Sequence, residues 1–281
     1  MRRTTTRLVL RVSQYAALVP FIIFAIFPVY WMFITSLKRD SELYDLRSVP
    51  FLIRDGITFE HYLFLFQNTG FLIWFRNTLV VAFVPMVISL AVSIPAGYAL
   101  ARLRFRGATL IATSIFALYL MPPTVLFLPL AWFVSAIGLS NSLWSLIITF
   151  PTFMIPFCIW MLSAYFRTLP SELEDVALVD GCTRLQMLWN VIIPLSLPGV
   201  ITSSFFSFLL AWDNLIYAVA FISDSAQKTI SAGVVTELIR GDVFFWGSLM
   251  AGAAVAALPV VIAFVFLMDH YVSGLTAGAI K

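Results

Sequence analysis

Residues 169–199 read LPSELEDVALVDGCTRLQMLWNVIIPLSLPG. Four acids, Glu172, Glu174, Asp175 and Asp180, fall within nine positions of a chain that is 61% hydrophobic and 11% charged. Uncharged runs long enough to cross a bilayer lie on both sides. A polar, helix-forming insert between two such runs belongs outside the membrane, and its local signals specify a shape. Ser171 and Glu174 have the S-x-x-E spacing of a capping box, directly after Pro170. Thr183 and Gln186 repeat it as T-x-x-Q. Gly181, between them, is placed to end the first helix in the left-handed region, and Pro194 to end or kink the second. The stretch therefore predicts helix, sharp turn, helix. The first helix, about ten residues, is marginal on its own. Its acids suit the helix dipole, and Leu173, Val176 and Ala177 form an apolar stripe at i, i+3, i+4 spacing. That stripe either packs on the chain's own bundle or docks into another protein.

The rest of the composition agrees with a membrane setting. In 281 residues there are 27 Phe and a formal net charge of +3, and the mean hydropathy is +0.98. Such numbers belong to polytopic membrane proteins. Cys158 and Cys182 give no disulfide framework, and with His61 and His270 they show no metal-ligand spacing, so no metal is expected. The basic start MRRTTTRLVLR has the charge of a signal peptide's first part, but the segment after it argues otherwise. The run behind it, Val12–Leu37, is 26 residues without a charge and has no clear cleavage site, so it is expected to stay as a first span.

A spanning helix needs about 20 apolar residues. Uncharged runs place spans at about 13–37, 77–101, 108–130, 143–166 and 243–268, and an apolar run that contains Asp213 places one at 195–222. The third and fourth come from one 60-residue uncharged run, Gly107–Phe166, divided by the turn signal Gly138–Ser142. Arg2, Arg3, Arg7 and Arg11 precede the first span, and Arg102, Arg104 and Arg106 link the second and third. The positive-inside rule puts both groups in the cytoplasm. The expected fold is an all-α membrane protein, one transmembrane domain over 1–281. It has six transmembrane helices, both termini cytoplasmic, and a cytoplasmic helix-turn-helix loop at 169–194 between spans four and five. Pro122, Pro123, Pro129, Pro151 and Pro156 mark either ordinary kinks or helices lining a pathway that opens and closes. The outward segment from Lys38 to Arg76 is rich in aromatics. It is either a docking surface or an interfacial scaffold with Trp74 at the headgroups.

Span five contains Trp212, Asp213 and Asn214. An acid within a span is costly and usually faces a cavity. An aromatic ring beside hydrogen-bonding groups suits a polyhydroxylated solute, although Asp213 pairing across helices is the structural alternative. Asn77, at the entry of span two, is ambiguous in the same way.

The insert resembles the EAA loop of binding-protein-dependent ABC importer permeases: E-A-A, three residues, G, nine residues, I-x-L-P. Here it stands as Asp175-Val176-Ala177, Gly181 and Val191-Ile192-Ile193-Pro194, with Asp175 for Glu, Val176 for Ala and Ile193 for Leu. FPVYWMFITSLK, FRNTLVVA, GYALARLRFRG, MPPTVLFLPLAWFVSAIGLSNSLWSLII and GLTAGAIK are similar to the carbohydrate branch, and most to the smaller permease of maltose-type systems.

The resemblance implies a subunit that forms half of a pathway for a sugar, oligosaccharide or polyol in a bacterial or archaeal cytoplasmic (inner) membrane. Its implied partners are a second permease, an ATPase dimer and an extracytoplasmic solute-binding protein. It also implies that Glu174, Asp175, Val176, Ala177, Asp180 and Gly181 serve docking to the ATPase, or its geometry. The tail 274–281 resembles tails that reach between ATPase subunits. The chain lacks G-x-x-x-x-G-K-[ST], so ATP and Mg are expected in the partner; no catalysis, cofactor or nucleic-acid binding is expected here. An importer of glycerol phosphate or another solute is the alternative. A self-sufficient secondary transporter would want ion-coupling carboxylates and internal repeats, and the spans show Asp213 and no obvious repeat.

Overall fold

The computed structural model of the chain describes the backbone of residues 2–276 and the side chains of 14–239 and 241–268. The side chains of Arg2, Arg3, Arg7 and Arg11, and those of the tail 274–281, lie outside the described residues. Helices dominate. Four are long and apolar enough to cross a membrane: Gln14–Leu37, Phe71–Arg102, Leu143–Phe166 and Trp246–Met268. Two bent pairs, Ala108–Leu120 with Pro123–Ala136 and Arg184–Leu195 with Leu197–Trp212, raise the number to six if each counts as one span.

The departures from the expected boundaries have local causes. The second long helix starts at Phe71, not at residue 77, because Arg76 sits exposed on its surface and does not interrupt it. The expected third span, 108–130, bends by 92° after Leu120. Met121 and Pro122 each precede a proline and are therefore extended, at ψ 128° and 131°. Pro194 does not end its helix. A π-turn over Leu188–Ile192 leads into Ile193–Leu195, and the 81° bend falls at Ser196. The π-turn changes the hydrogen-bond register just before the residue that lacks a donor. The expected fifth span, 195–222, is interrupted: one helix ends at Trp212 and the next begins at Ile216. The last long helix starts at Trp246, after a two-stranded ribbon pairs Ile239–Arg240 with Val243–Phe244.

The chain packs as two compact units. The first comprises residues up to Thr69 with Val234–Ala257. Here α1 (Arg2–Leu37) exposes apolar side chains along its described length. It leads into α2 (Asp40–Leu43) and α3 (Glu60–Asn68). Their organising contact is a buried ion pair, Lys38 Nζ to Glu42 Oε1 at 3.3 Å. The ammonium also donates to the Val49 and Pro50 carbonyls, and the carboxylate accepts from the Arg54 and Asp55 amides. The segment after the first apolar helix is thus a folded layer built on one buried pair.

The second unit comprises Gly70–Gly233 with residues from Leu258 on. Its frame is α4 (Phe71–Arg102) against the long helix made of α7 (Leu143–Thr149) and α8 (Pro151–Phe166). Between them in chain order are α5 (Ala108–Leu120) and α6 (Pro123–Ala136). Ser89, Ser93 and Gly97 are buried at i, i+4, i+8 on α4. They let α8 approach until a Cβ on Gly97 would lie 3.3 Å from that of Leu162. Small residues in such a stripe are how helices pack where the solvent is as apolar as their side chains.

Glu42 yields a pH prediction. Burial pushes its carboxyl up, but the Asp55 and Arg54 amides and Lys38 outweigh burial and hold it below the ordinary 4.5. Its contribution to stability is therefore fully present above pH 4.5 and is lost as pH falls through the lower, folded value. The Tm of the detergent-solubilised chain should drop in that acid range. In Glu42→Gln that step should be missing, with a lower Tm at neutral pH.

Candidate functional site

The insert forms α9 (Glu172–Val179), a turn, and α10 (Arg184–Met187), which continues through the π-turn into α11 (Ile193–Leu195). The turn is a Schellman motif. Gly181 has φ +83°, its amide donates to Leu178 O, and the Cys182 amide donates to Ala177 O at 3.0 Å. Gly suits this position because a Cβ disfavours positive φ. The second capping box forms: Thr183 Oγ1 accepts from the Gln186 amide, and Gln186 Oε1 accepts from the Thr183 amide.

The first box does not form. Ser171 is helical and makes no side-chain cap. Glu174 points inward, nine-tenths buried. Its carboxylate accepts from Tyr98 Oη at 3.3 Å and lies 3.1 Å from Arg102 Nε and 3.7 Å from Arg184. The Arg102 contact is an ion pair by distance without hydrogen-bond alignment. Arg102 also donates to the Leu169 carbonyl. One arginine at the end of α4 thus holds both the start of the insert and its first helix.

The predicted apolar stripe divides. Ala177 is buried with Ile94, Tyr98, Leu162, Phe166, Met187 and Ile192. Val176 is on the other side, 60% exposed, because two residues from Glu174 is about 200° around a helix. Asp175, Asp180 and Gly181 are exposed as well. Val179, Leu185 and Trp189 are 87%, 63% and 57% exposed. The insert therefore has an inner side fixed to α4 and α8 and an outer side that exposes large apolar residues, Val176, Val179, Leu185 and Trp189 the most. The sequence pattern did not single out Tyr98, Arg102, Arg184, Leu185 or Trp189. The helical register of the second arm could have found Leu185 and Trp189, four apart.

The residues considered for a solute path are not brought together as an open site. Asn77 is buried and donates to the Ala226 and Lys228 carbonyls at 2.9 and 3.0 Å. It fastens the loop before α14 (Ile230–Leu238) to the start of α4. Trp74, which the scaffold alternative placed at the headgroups, is buried and donates to Ser225 O. Trp212 ends α12 (Leu197–Trp212), stacked on Phe208 and edge-on to Phe75. Asn214 accepts from the Tyr217 amide at the start of α13 (Ile216–Phe221). Asp213 is exposed, at the C-cap of α12 rather than inside a helix.

One cluster with metal-ligating side chains occurs among the described residues: Asp40, Glu60 and His61. His61 Nε2 lies 2.8 Å from the Lys38 carbonyl and must donate to it. That nitrogen is not free to ligate, and the Asp40 and Glu60 carboxylates lie 3.9 and 4.0 Å from it.

Residues 93–276, which include the whole insert, match the family described as binding-protein-dependent transport system inner membrane component. The chain belongs to that family. It is a multi-pass inner-membrane component. It is similar along 99% of its length to the inner membrane ABC transporter permease protein YcjP of Escherichia coli (strain K12), at 35% identity and 99% coverage of that protein. It is 34% identical to the diacetylchitobiose uptake system permease protein DasC of Streptomyces coelicolor, over 91% of this chain and 92% of the relative. In fold it matches a crystal structure of a bacterial ABC transporter involved in the import of the acidic polysaccharide alginate. The TM-score is 0.80 at 20% identity, covering 95% of this chain and 98% of that one.

Removing Glu174 would leave Arg102 without its counter-ion and Tyr98 without its acceptor. Breaking a buried ion pair costs about 3 kcal/mol, so Glu174→Ala should unfold at clearly lower temperature than the wild type. Limited proteolysis should then cut within 169–190 first. Arg102→Ala should do the same, and the double variant should lose less than the two singles combined.

Proposed function

We propose that the chain is a permease subunit of an ATP-driven ABC importer for a sugar, oligosaccharide or polyol. In this reading it has six spans and cytoplasmic termini within one transmembrane domain, and forms half of the pathway. A second permease, an ATPase dimer with ATP and Mg, and an extracytoplasmic binding protein complete the machine. The observation that carries the reading is the two-sided insert at the position of the EAA pattern. Its inner side is held by Glu174, Arg102 and Ala177. Its outer side leaves Val176, Val179, Leu185 and Trp189 uncovered. An apolar face on a polar insert is a docking surface, and its firm attachment to α4 and α8 lets a push on it become a tilt of the spans.

The residues then divide by role. Asp175, Val176, Asp180 and Gly181 belong to the docking face or its turn. Glu174 and Ala177 hold the insert in place. The carbohydrate class rests on relatives such as the diacetylchitobiose permease. Of the four solute-path residues, Asp213 is free to meet a solute, whereas Asn77, Trp212 and Asn214 shape the path. Glycerol phosphate or another non-sugar solute is the alternative cargo.

Val179→Asp changes an exposed residue and should leave the fold intact. Co-purification from gently solubilised membranes should recover an ATPase with the wild type and at least tenfold less with the variant, at equal membrane levels. Equal recovery would place the motor elsewhere. Asp213→Asn should reduce uptake of the transported solute several-fold with unchanged Tm and unchanged ATPase recovery. Uptake equal to wild type would remove Asp213 from the path.

A further inference from the structure

Two cavities of the second unit lie along one side of α5. One, of about 840 Å³, is at the end of α4 and is lined by Arg102, Arg104, Arg106, Thr109, Ser171 and Glu174 among others. The other, of about 360 Å³, is lined by Leu100, Phe116, Ile159 and Trp160, with Thr113, Ser163 and Arg167 as its polar members. Leu100 borders both. Thr109, Thr113 and Phe116 follow i, i+4, i+7 spacing, so one face of α5 runs from the first cavity into the second. The first is basic: three arginines face one acid, and Glu174 is already paired with Arg102. Arg104 and Arg106 are exposed and have no ion-pair partner among the described residues. Ala108 and Thr109 bring the first turn of α5 to the same cavity, and that helix has no side-chain cap. The Ala108 amide donates to Phe105 O, and the positive end of the helix dipole adds to the potential. The second cavity has an aromatic wall, with Trp160 stacked on Tyr119 at 5.4 Å and Phe116 beside it, and Arg167 adds a cation to its lining.

From this juxtaposition we infer that the chain holds an anionic phospholipid, its phosphate at Arg104 and Arg106 and an acyl chain in the groove of Leu100, Phe116 and Trp160. The cavity lies where an uncharged run meets an arginine cluster, which is the depth of a headgroup. Basic residues at that depth attract anionic headgroups. A free phosphate would use the basic cavity and leave the groove unused; a lipid uses both.

The test is lipid retention by the transporter purified whole in mild detergent and read by native mass spectrometry. The probes are phosphatidylglycerol, phosphatidylcholine and inorganic phosphate. The wild type should retain phosphatidylglycerol on the order of tenfold more strongly than phosphatidylcholine, and inorganic phosphate should not displace it. R104Q/R106Q should erase the preference, and R104K/R106K should restore most of it. Thr113→Trp, which fills the groove without touching charge, should weaken retention of both lipids. Equal retention of the two lipids by the wild type would overturn the inference. So would an unchanged preference in R104Q/R106Q. Displacement by inorganic phosphate would make this a phosphate site. A preference seen in the isolated chain and absent from the assembled transporter would assign the surface to a partner subunit. If the double variant fails to fold, R104Q and R106Q, each at an exposed position, carry the same comparison singly.

Discussion

The second unit depends on where one buried carboxylate is held. Glu174 sits among Tyr98, Arg102 and Arg184. An acid that far from water is tolerable only with its partners in place. Two of them come from the end of α4 and one from the insert's second arm, so satisfying Glu174 fixes three segments at once. The Arg102 bond to Leu169 adds the approach to the insert. With this cluster formed, Ala177 has a single inward orientation, and Val176 and Val179 must face out.

A rigid insert is useful only if its support is rigid. The same cluster of buried residues that holds Ala177 includes Cys158, Leu162 and Phe166 of α8 and Ile94 and Tyr98 of α4. Farther along α4, Ser93 donates to Ile155 O, and Cys158 meets Ser207 of α12 at 2.8 Å. Side chains of this size leave little slack between helices. Gly199, at the start of α12, continues the theme: a Cβ there would fall 2.5 Å from the Tyr165 ring. Displacement of the insert is therefore carried by close-packed helix pairs rather than absorbed in a flexible linker.

What could be read from the sequence was what neighbours in the chain decide. Gly181 and the Thr183–Gln186 box close over three to five residues, and both formed as expected. The first apolar run ends at Leu37 because the next residue is charged. The Ser171–Glu174 box failed because Glu174 found partners 72 and 76 positions earlier in the chain, at Arg102 and Tyr98, and an ion pair outcompetes a helix cap. The ambiguity at Asn77 has the same cause. That side chain satisfies carbonyls about 150 residues away, and no spacing rule reports such a partner. The bend at Pro122–Pro123 lay between the two kinds. Its cause was on the page, but the depth of a 92° turn was not.

The interruption of α12 at Asp213 has a consequence for what can pass nearby. A helix end presents backbone carbonyls and carries partial negative charge. Asp213 stands at that end with its carboxyl exposed, and the next helix begins only three residues on. Carbonyls and carboxyl together make a spot of one sign. A solute with its own negative charge would meet repulsion there. A neutral one with many hydroxyls would find acceptors for its protons. On the proposed path, the break would sort solutes by the sign of their charge, set by where a helix stops.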